Sequence, residues 1–281
     1  LYGYQARLFA ELGLAVPASW ADIVFASAMI TEERSPTTYG VGLRGRPGHG
    51  AASTFLPILR GHGVELFDAS WEPQLETAAA AAAMATLLKL APHAPLDVSE
   101  TGQEELTVQI ENGRVAQSAD IWPTQLLGWS GQRMRLPITS ISLGQIPDST
   151  ETETRAVTGN WLLGIPAACS ATAPAALEFM RWLTSPRQQL RLLLETGLPP
   201  TRISVMNDQS AAAKQPLLSQ IAMVAAQATP RPRTHYYPAV EQIVGTWVAG
   251  AMAGLVSGEQ ALTSANRELT SVMQHRPAGA S

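Results

Sequence analysis

Apolar residues recur along this chain mostly at three- and four-residue spacing, which predicts a helix-rich fold. Leu8, Phe9 and Leu12 mark a first helix over residues 6–14 that stops at Gly13, a common helix-closing residue. Ser19 stands before Trp20 and Ile23 as the N-cap of a second. Further helical stretches run over residues 53–60 (ending at Gly61), 74–90, 104–112 (closed by Asn112-Gly113), 173–184 with an added turn through Leu190–Leu194, 210–227, 239–256 and 259–274. The stretch 74–90 is alanine-rich, and Pro92 and Pro95 end it. Between them lie short extended segments: residues 37–45, 114–123 and 135–141. Short strands separated by helices give an α/β fold class. No internal repeat is visible.

Composition narrows the function classes. At 281 residues the chain is long enough for one large or two ordinary domains, at about 150 residues each. A formal net charge of −4 gives no reason to expect a nucleic-acid or anionic-membrane partner. Cys169 is the sole cysteine, so no intramolecular disulfide or cysteine-based zinc site can form, and a small buried residue is expected there. No stretch reaches the roughly 20 apolar residues needed to span a bilayer; the nearest runs from Trp247 to Val256. The first residues do not read as a secretory signal, and the start at Leu1 leads us to expect an upstream segment.

One motif has the form of a nucleotide fingerprint: Gly40-Val41-Gly42-Leu43-Arg44-Gly45 satisfies G-x-G-x-x-G. That fingerprint needs a helix opening at its last glycine, so that backbone amides meet the pyrophosphate. Arg46-Pro47-Gly48-His49-Gly50 is not expected to form the first turn of a helix, so the glycines are assigned to close packing. A transferase using the Gly40–Gly50 loop is kept as the alternative. No zinc, nucleophile-elbow or P-loop motif occurs, and the acidic pairs Glu104-Glu105 and Glu151/Glu153 read as solvated charges. The five histidines are scattered singly; only His49 and His235 lie in loops that could line a site. Trp122, between Ile121 and Pro123, and Trp161, after Gly159-Asn160, sit at element ends where a flat ring can face a cleft, although a core position is the alternative. A sugar site needs such a platform for its C–H face plus hydrogen-bonding groups. Asp120, Asn160 and Arg231 are the adjacent candidates.

Taken in order, these segments resemble the extracellular solute-binding proteins (family 1) of sugar ABC importers, of the maltose/trehalose type. Leu1, Tyr4, Leu8, Phe9, Gly13, Leu14, Pro17 and Trp20 fall in register with one family segment. Residues 111–123 are similar to the segment that carries a cleft tryptophan, here Trp122. Thr158-Gly159-Asn160-Trp161 is similar to the Gly-Gly-Trp turn that presents a second, with Asn160 in place of a glycine. Residues 231–262 match the Arg-Pro segment, placing Arg231 near the cleft and Tyr236 and Tyr237 at an aromatic pair.

The resemblance implies a periplasmic-binding-protein type II (Venus flytrap) two-lobe fold. It further implies a carbohydrate, a disaccharide or oligosaccharide, bound between the lobes and delivered to the permease subunits of an ABC transporter. Catalysis, cofactor and metal are not expected. The implied location is periplasmic or extracellular, lipid-anchored or free. A polyol or glycerol phosphodiester is the other solute class. The expected site comprises Trp122, Trp161, Arg231, Asp120, Asn160, Gly159, His49 and Tyr236. The expected division is a hinge strand over residues 1–7, a second lobe over 8–155 and 205–281, and crossover plus first-lobe helices over 156–204. Most of the first lobe is then missing, and the helix 173–184 should expose its apolar face.

Overall fold

The computed structural model describes residues 1–123, 141–144, 156–159, 161–215 and 217–274. By its contacts the chain divides into two compact units, one of residues 1–121, 134–157 and 227–281, the other of residues 122–133 and 158–226. The expected boundaries differ. Residues 205–226, read from the sequence with the second lobe, cluster instead with the unit that holds 158–204, because the helix Gln209–Lys214 packs on Pro186–Thr196.

In the first unit, β1 (Tyr2–Gln5) pairs antiparallel with β2 (Gln117–Ser118) and with β3 (Ile141–Gly144), giving the order β2-β1-β3. α1 (Ala6–Glu11) follows β1, and Phe9 packs into a small core with Ala26, Ile30 and Ala116. α2 (Trp20–Arg34) starts where expected: Ser19 Oγ accepts from the Asp22 amide while Asp22 returns a bond from the Ser19 amide. That reciprocal cap satisfies two donors the first turn leaves unpaired.

α3 (His49–Gly61) is the buried spine of this unit: every residue after His49 is buried. It packs against α4 (Ala78–Leu90) and α11 (Tyr237–Met252), and α11 in turn against α12 (Gly258–Gln274). α4 starts later than its alanine pattern suggested, because Thr77 caps the Ala80 amide. α5 (Gln103–Glu111) ends at Asn112 with Gly113 at φ 70°.

Two sequence expectations fail here. Residues 37–45 are extended but not a full strand. Tyr39 bridges Val115 and the Gly42 amide reaches the Gln117 carbonyl, whereas the Val41 and Gly45 amides bond the His93 and Val98 carbonyls, which belong to no strand. Secondly, Arg46-Pro47-Gly48 does lead into a helix. Gly48 takes φ 79°, a conformation closed to most side chains, and that turn lets α3 open at His49.

The second unit is helical among its described residues: α6 (Ala173–Leu183), α7 (Pro186–Thr196), α8 (Ile203–Met206), α9 (Gln209–Lys214) and α10 (Leu218–Gln227). The single helix expected over 210–227 is thus two, α9 and α10. Gln189 on α7 ties the unit together, its carbonyl oxygen accepting from the Thr201 and Arg202 amides and its amide donating to Thr201 Oγ1. β4 (Val157–Thr158) and β5 (Thr229–Pro230) form a two-stranded ladder in which the Thr229 amide donates to the Ala156 carbonyl. Cys169, expected to be buried, is exposed, because it lies in an irregular 3-10 turn before α6. No helix among the described residues is long and apolar enough to cross a membrane. The strand expected over 135–141 lies outside the described residues except for Ile141, where β3 begins.

Candidate functional site

The chemistry of the first unit is organised along α3. Arg44, fully buried, faces its middle. The guanidinium binds the Asp120 carboxylate through two nitrogens, Nη2 to Oδ1 at 2.6 Å and Nε to Oδ2, and Nη2 also reaches Ser53 Oγ. Thr54 Oγ1 accepts from the Arg44 amide at 3.0 Å and donates to Asp120 Oδ2 at 3.1 Å. Ser118 completes the network, accepting from the Asp120 amide and donating to the Gly42 carbonyl. A planar fork meeting a carboxylate in this way satisfies both charges where water cannot. Asp120, a candidate for pairing with a solute hydroxyl, thus has both carboxylate oxygens engaged by protein.

At the start of α3 a second cluster forms. Gly245 on α11 packs directly on Gly48, and a Cβ there would collide with the Gly48 carbonyl. This close crossing brings Glu241 to His49, with Nδ1 and Oε1 2.9 Å apart. Arg231 reaches the same oxygen at 3.4 Å, and its guanidinium lies 5.7 Å from the Tyr237 ring centre. Burial alone would raise the Glu241 carboxyl, but the His49 hydrogen bond and the His49 and Arg231 charges outweigh it and hold it below the usual carboxylate range. Burial pushes the Tyr237 hydroxyl well up, so it stays a neutral phenol. His235 and Tyr236 pack against each other with tilted rings, ring centres 3.9 Å apart and planes inclined by 40°.

His49 and Arg231, separate in sequence, therefore meet at Glu241, which the sequence reading missed. Its one visible signal is its spacing of four from Tyr237, which puts both on one face of α11. Arg60, at the other end of α3, was missed as well. It is buried, and its two terminal nitrogens donate to the Thr229 and Pro230 carbonyls at 3.1 and 2.8 Å, fixing the backbone that leads into Arg231.

In the second unit Trp122 is partly buried, Gly159 is exposed, and Trp161 stands almost free in solvent at 99% exposure. Asn160 lies outside the described residues. The glycines of the fingerprint-like motif face protein. A Cβ on Gly40 would strike the Ser27 backbone, one on Gly42 would meet Leu106 and Val115, and one on Gly45 the Val98 backbone. Their role is close packing, as expected. No group of three or more metal-ligating side chains occurs among the described residues.

Solved structures share this fold. Maltose-bound MalE3 of T. maritima superposes with a TM-score of 0.86 at 24% identity, over 97% of this chain and 70% of that one. A ribitol complex of an ABC transporter solute-binding protein from Agrobacterium radiobacter K84 gives 0.88 at 22%, over 96% and 68%. A D-mannitol complex from Agrobacterium vitis S4 gives 0.82 at 23%, over 97% and 70%. The architecture is therefore that of the type II two-lobe binding proteins. In sequence, the chain is 26% identical over 212 residues to the probable amino-acid ABC transporter periplasmic-binding protein of Sinorhizobium fredii, covering 74% of this chain. It spans about half of that relative's length, 46%. The sequence profile described as "Bacterial extracellular solute-binding protein" matches residues 4–190, well over half of the chain. The chain belongs to the bacterial extracellular solute-binding protein family.

Proposed function

We propose that the chain serves solute import, binding a carbohydrate, a disaccharide or oligosaccharide first among them, and presenting it to the permease subunits of an ABC transporter. The observation that carries this is Trp161. A large flat ring at 99% exposure, following Gly159 and Asn160 in the sequence, leaves an apolar face open for a ligand to cover. A sugar's C–H face is such a cover. Trp122, Gly159 and Asn160 are proposed beside it, and in the first unit His49 and Arg231, which meet at Glu241, supply hydrogen-bonding groups, with Tyr236, packed on His235, as a further aromatic. Asp120 takes part through Arg44 and the backbone before Trp122 rather than by touching solute.

The test is a tryptophan-fluorescence titration with maltose, trehalose, monosaccharides, ribitol, D-mannitol and glycerol phosphodiesters. Saturable change with a sugar, lost in Trp161→Ala, supports the reading. Saturation with ribitol or D-mannitol only moves the solute class to polyols. A flat response across the panel from folded protein removes it.

A further inference from the structure

The chain passes between its two units four times: at Ile121/Trp122, Arg133/Met134, Val157/Thr158 and Ala226/Gln227. The second lies outside the described residues. Each of the other three is fastened on the first-unit side within a few residues of the passage, and every fastening leads to α3.

Asp120, two residues before Trp122, is held by Arg44 and by Thr54 of α3, and Ser53 of α3 holds Arg44 from the other side. Thr229 and Pro230, just after the Ala226/Gln227 passage, give their carbonyls to Arg60 of α3. The third passage is tied in through β5: the Thr229 amide donates to the carbonyl of Ala156, one residue before Val157. Arg44, Ser53, Thr54 and Arg60 are all buried. Burying two arginines is expensive unless each finds partners for its donors. Arg44 finds a carboxylate and the Ser53 hydroxyl for Nε and Nη2, although its Nη1 has no hydrogen-bond partner among the described residues. Arg60 finds two backbone carbonyls plus the half-exposed Glu65, 3.0 Å away. Neither arginine is needed to fill the core, since an apolar side chain would do that at less cost.

We infer that α3 is a common anchor for the passages between the units, with Arg44 and Arg60 as positioning residues that fix the roots of three of them. Bending between the units then falls beyond these roots, on residues of the second unit, and not within residues 117–121, 156–157 or 228–231. One rigid helix also carries His49 and, through Arg60, sets the backbone entering Arg231. The anchoring thus keeps the first-unit polar cluster in register with the passages. The inference stands on the two-unit division and the hydrogen bonds, whichever solute is bound.

Hydrogen exchange of the full chain, with no solute added, tests it. Arg60→Met removes the bonds to the Thr229 and Pro230 carbonyls while keeping an unbranched apolar stem. Exchange should accelerate by about tenfold or more across residues 228–231 and 156–157, with residues 117–121 and α12 unchanged. Thr54→Val keeps the shape and removes the hydroxyl, and should loosen 117–121 and the Arg44 amide that the hydroxyl also accepts from, leaving 156–157 and 228–231 unchanged. Arg60→Lys keeps the charge without the fork, so it should give a smaller rise over the same residues as Arg60→Met; it carries the test if Arg60→Met does not fold. If Arg60→Met and Thr54→Val both speed exchange throughout the first unit, or neither speeds it at its own root, the arginines are ordinary core residues and the anchor is refuted. A protein that ignored every sugar yet showed these two local patterns would keep the anchor and lose only the import reading.

Discussion

α3 and α6 are helices of similar length, 13 and 11 residues, and both are rich in apolar side chains, yet they have opposite fates. α3 buries every residue after His49, whereas α6 buries none. Leu177, Phe179 and Trp182 stay 41, 57 and 52% exposed, and the Phe179 and Trp182 rings lie tilted against each other, ring centres 5.7 Å apart. The contrast shows that an apolar stripe records the need for a partner and not its presence. α3 meets α4 on one side and α11 on the other, and small residues at the crossing (Gly48 against Gly245) let it sink in. α6 makes its main contacts with the preceding 3-10 turn and α7. The sequence expectation that residues 173–184 would show an apolar face is met by this exposure.

The contrast can be broken most sharply at Arg44. Arg44→Met alone would leave Asp120 charged and buried without its fork, at a cost of about 3–5 kcal/mol in urea unfolding. Arg44→Met/Asp120→Leu together should recover most of that loss, since an apolar pair of similar volume replaces the ion pair. Recovery failing in the double variant would mean that the site tolerates no apolar filling. Next, Phe55→Ala on α3, where the ring is fully buried, should cost about 3–5 kcal/mol. The matched Phe179→Ala on α6 should stay within about 0.5 kcal/mol. Equal losses at the two positions, measured by the same unfolding curves, would show that α6 is covered in solution.

A smaller effect is expected at the cap of α2. Ser19→Ala removes one half of the reciprocal pair with Asp22 and should cost about 1 kcal/mol. At Glu241 the sign follows from its lowered carboxyl. The folded protein binds that proton less tightly than the unfolded chain, so the stabilisation is complete above the ordinary value of 4.5 and fades as pH falls through the lower folded value. Glu241→Gln should therefore flatten the acid limb of a melting-temperature profile while lowering stability near neutrality; an unchanged acid limb would remove Glu241 from the account. Smallest of all, Trp161→Ala should leave the melting temperature unmoved while removing a solvent-exposed component of the tryptophan emission. A marked drop in stability would mean the ring is packed and not a platform.

How far the residues alone carried the reading can be seen element by element. α1, α2 and α5 were legible to their ends because local rules act within a few residues: Ser19 caps, and Gly13 and Gly113 end helices in left-handed turns. α4 and α11 were legible as helices, but the Thr77 cap and the Gly254 turn set ends that differ from the expected ones. The start of α3 was not, because Gly48 rescues a Pro-Gly segment that composition alone assigns to a loop. The side-chain pattern of residues 37–45 fits a strand, but whether an extended segment becomes a strand depends on its neighbours, and these are mostly loops.

The same division holds for the candidate site. Trp122, Trp161, Arg231 and His49 stand out in the sequence as aromatic or charged residues beside Gly or Pro, a local property. Glu241 and Arg60 do not, because their partners lie 192 and about 170 residues away in the chain. Nothing near Asp120 announces that Arg44, 76 residues earlier, will occupy it. Family and local helix structure follow from residue order, since they depend on spacing and on contacts within a turn. Which charges are paired was settled only by tertiary packing, because it depends on what a distant segment brings alongside.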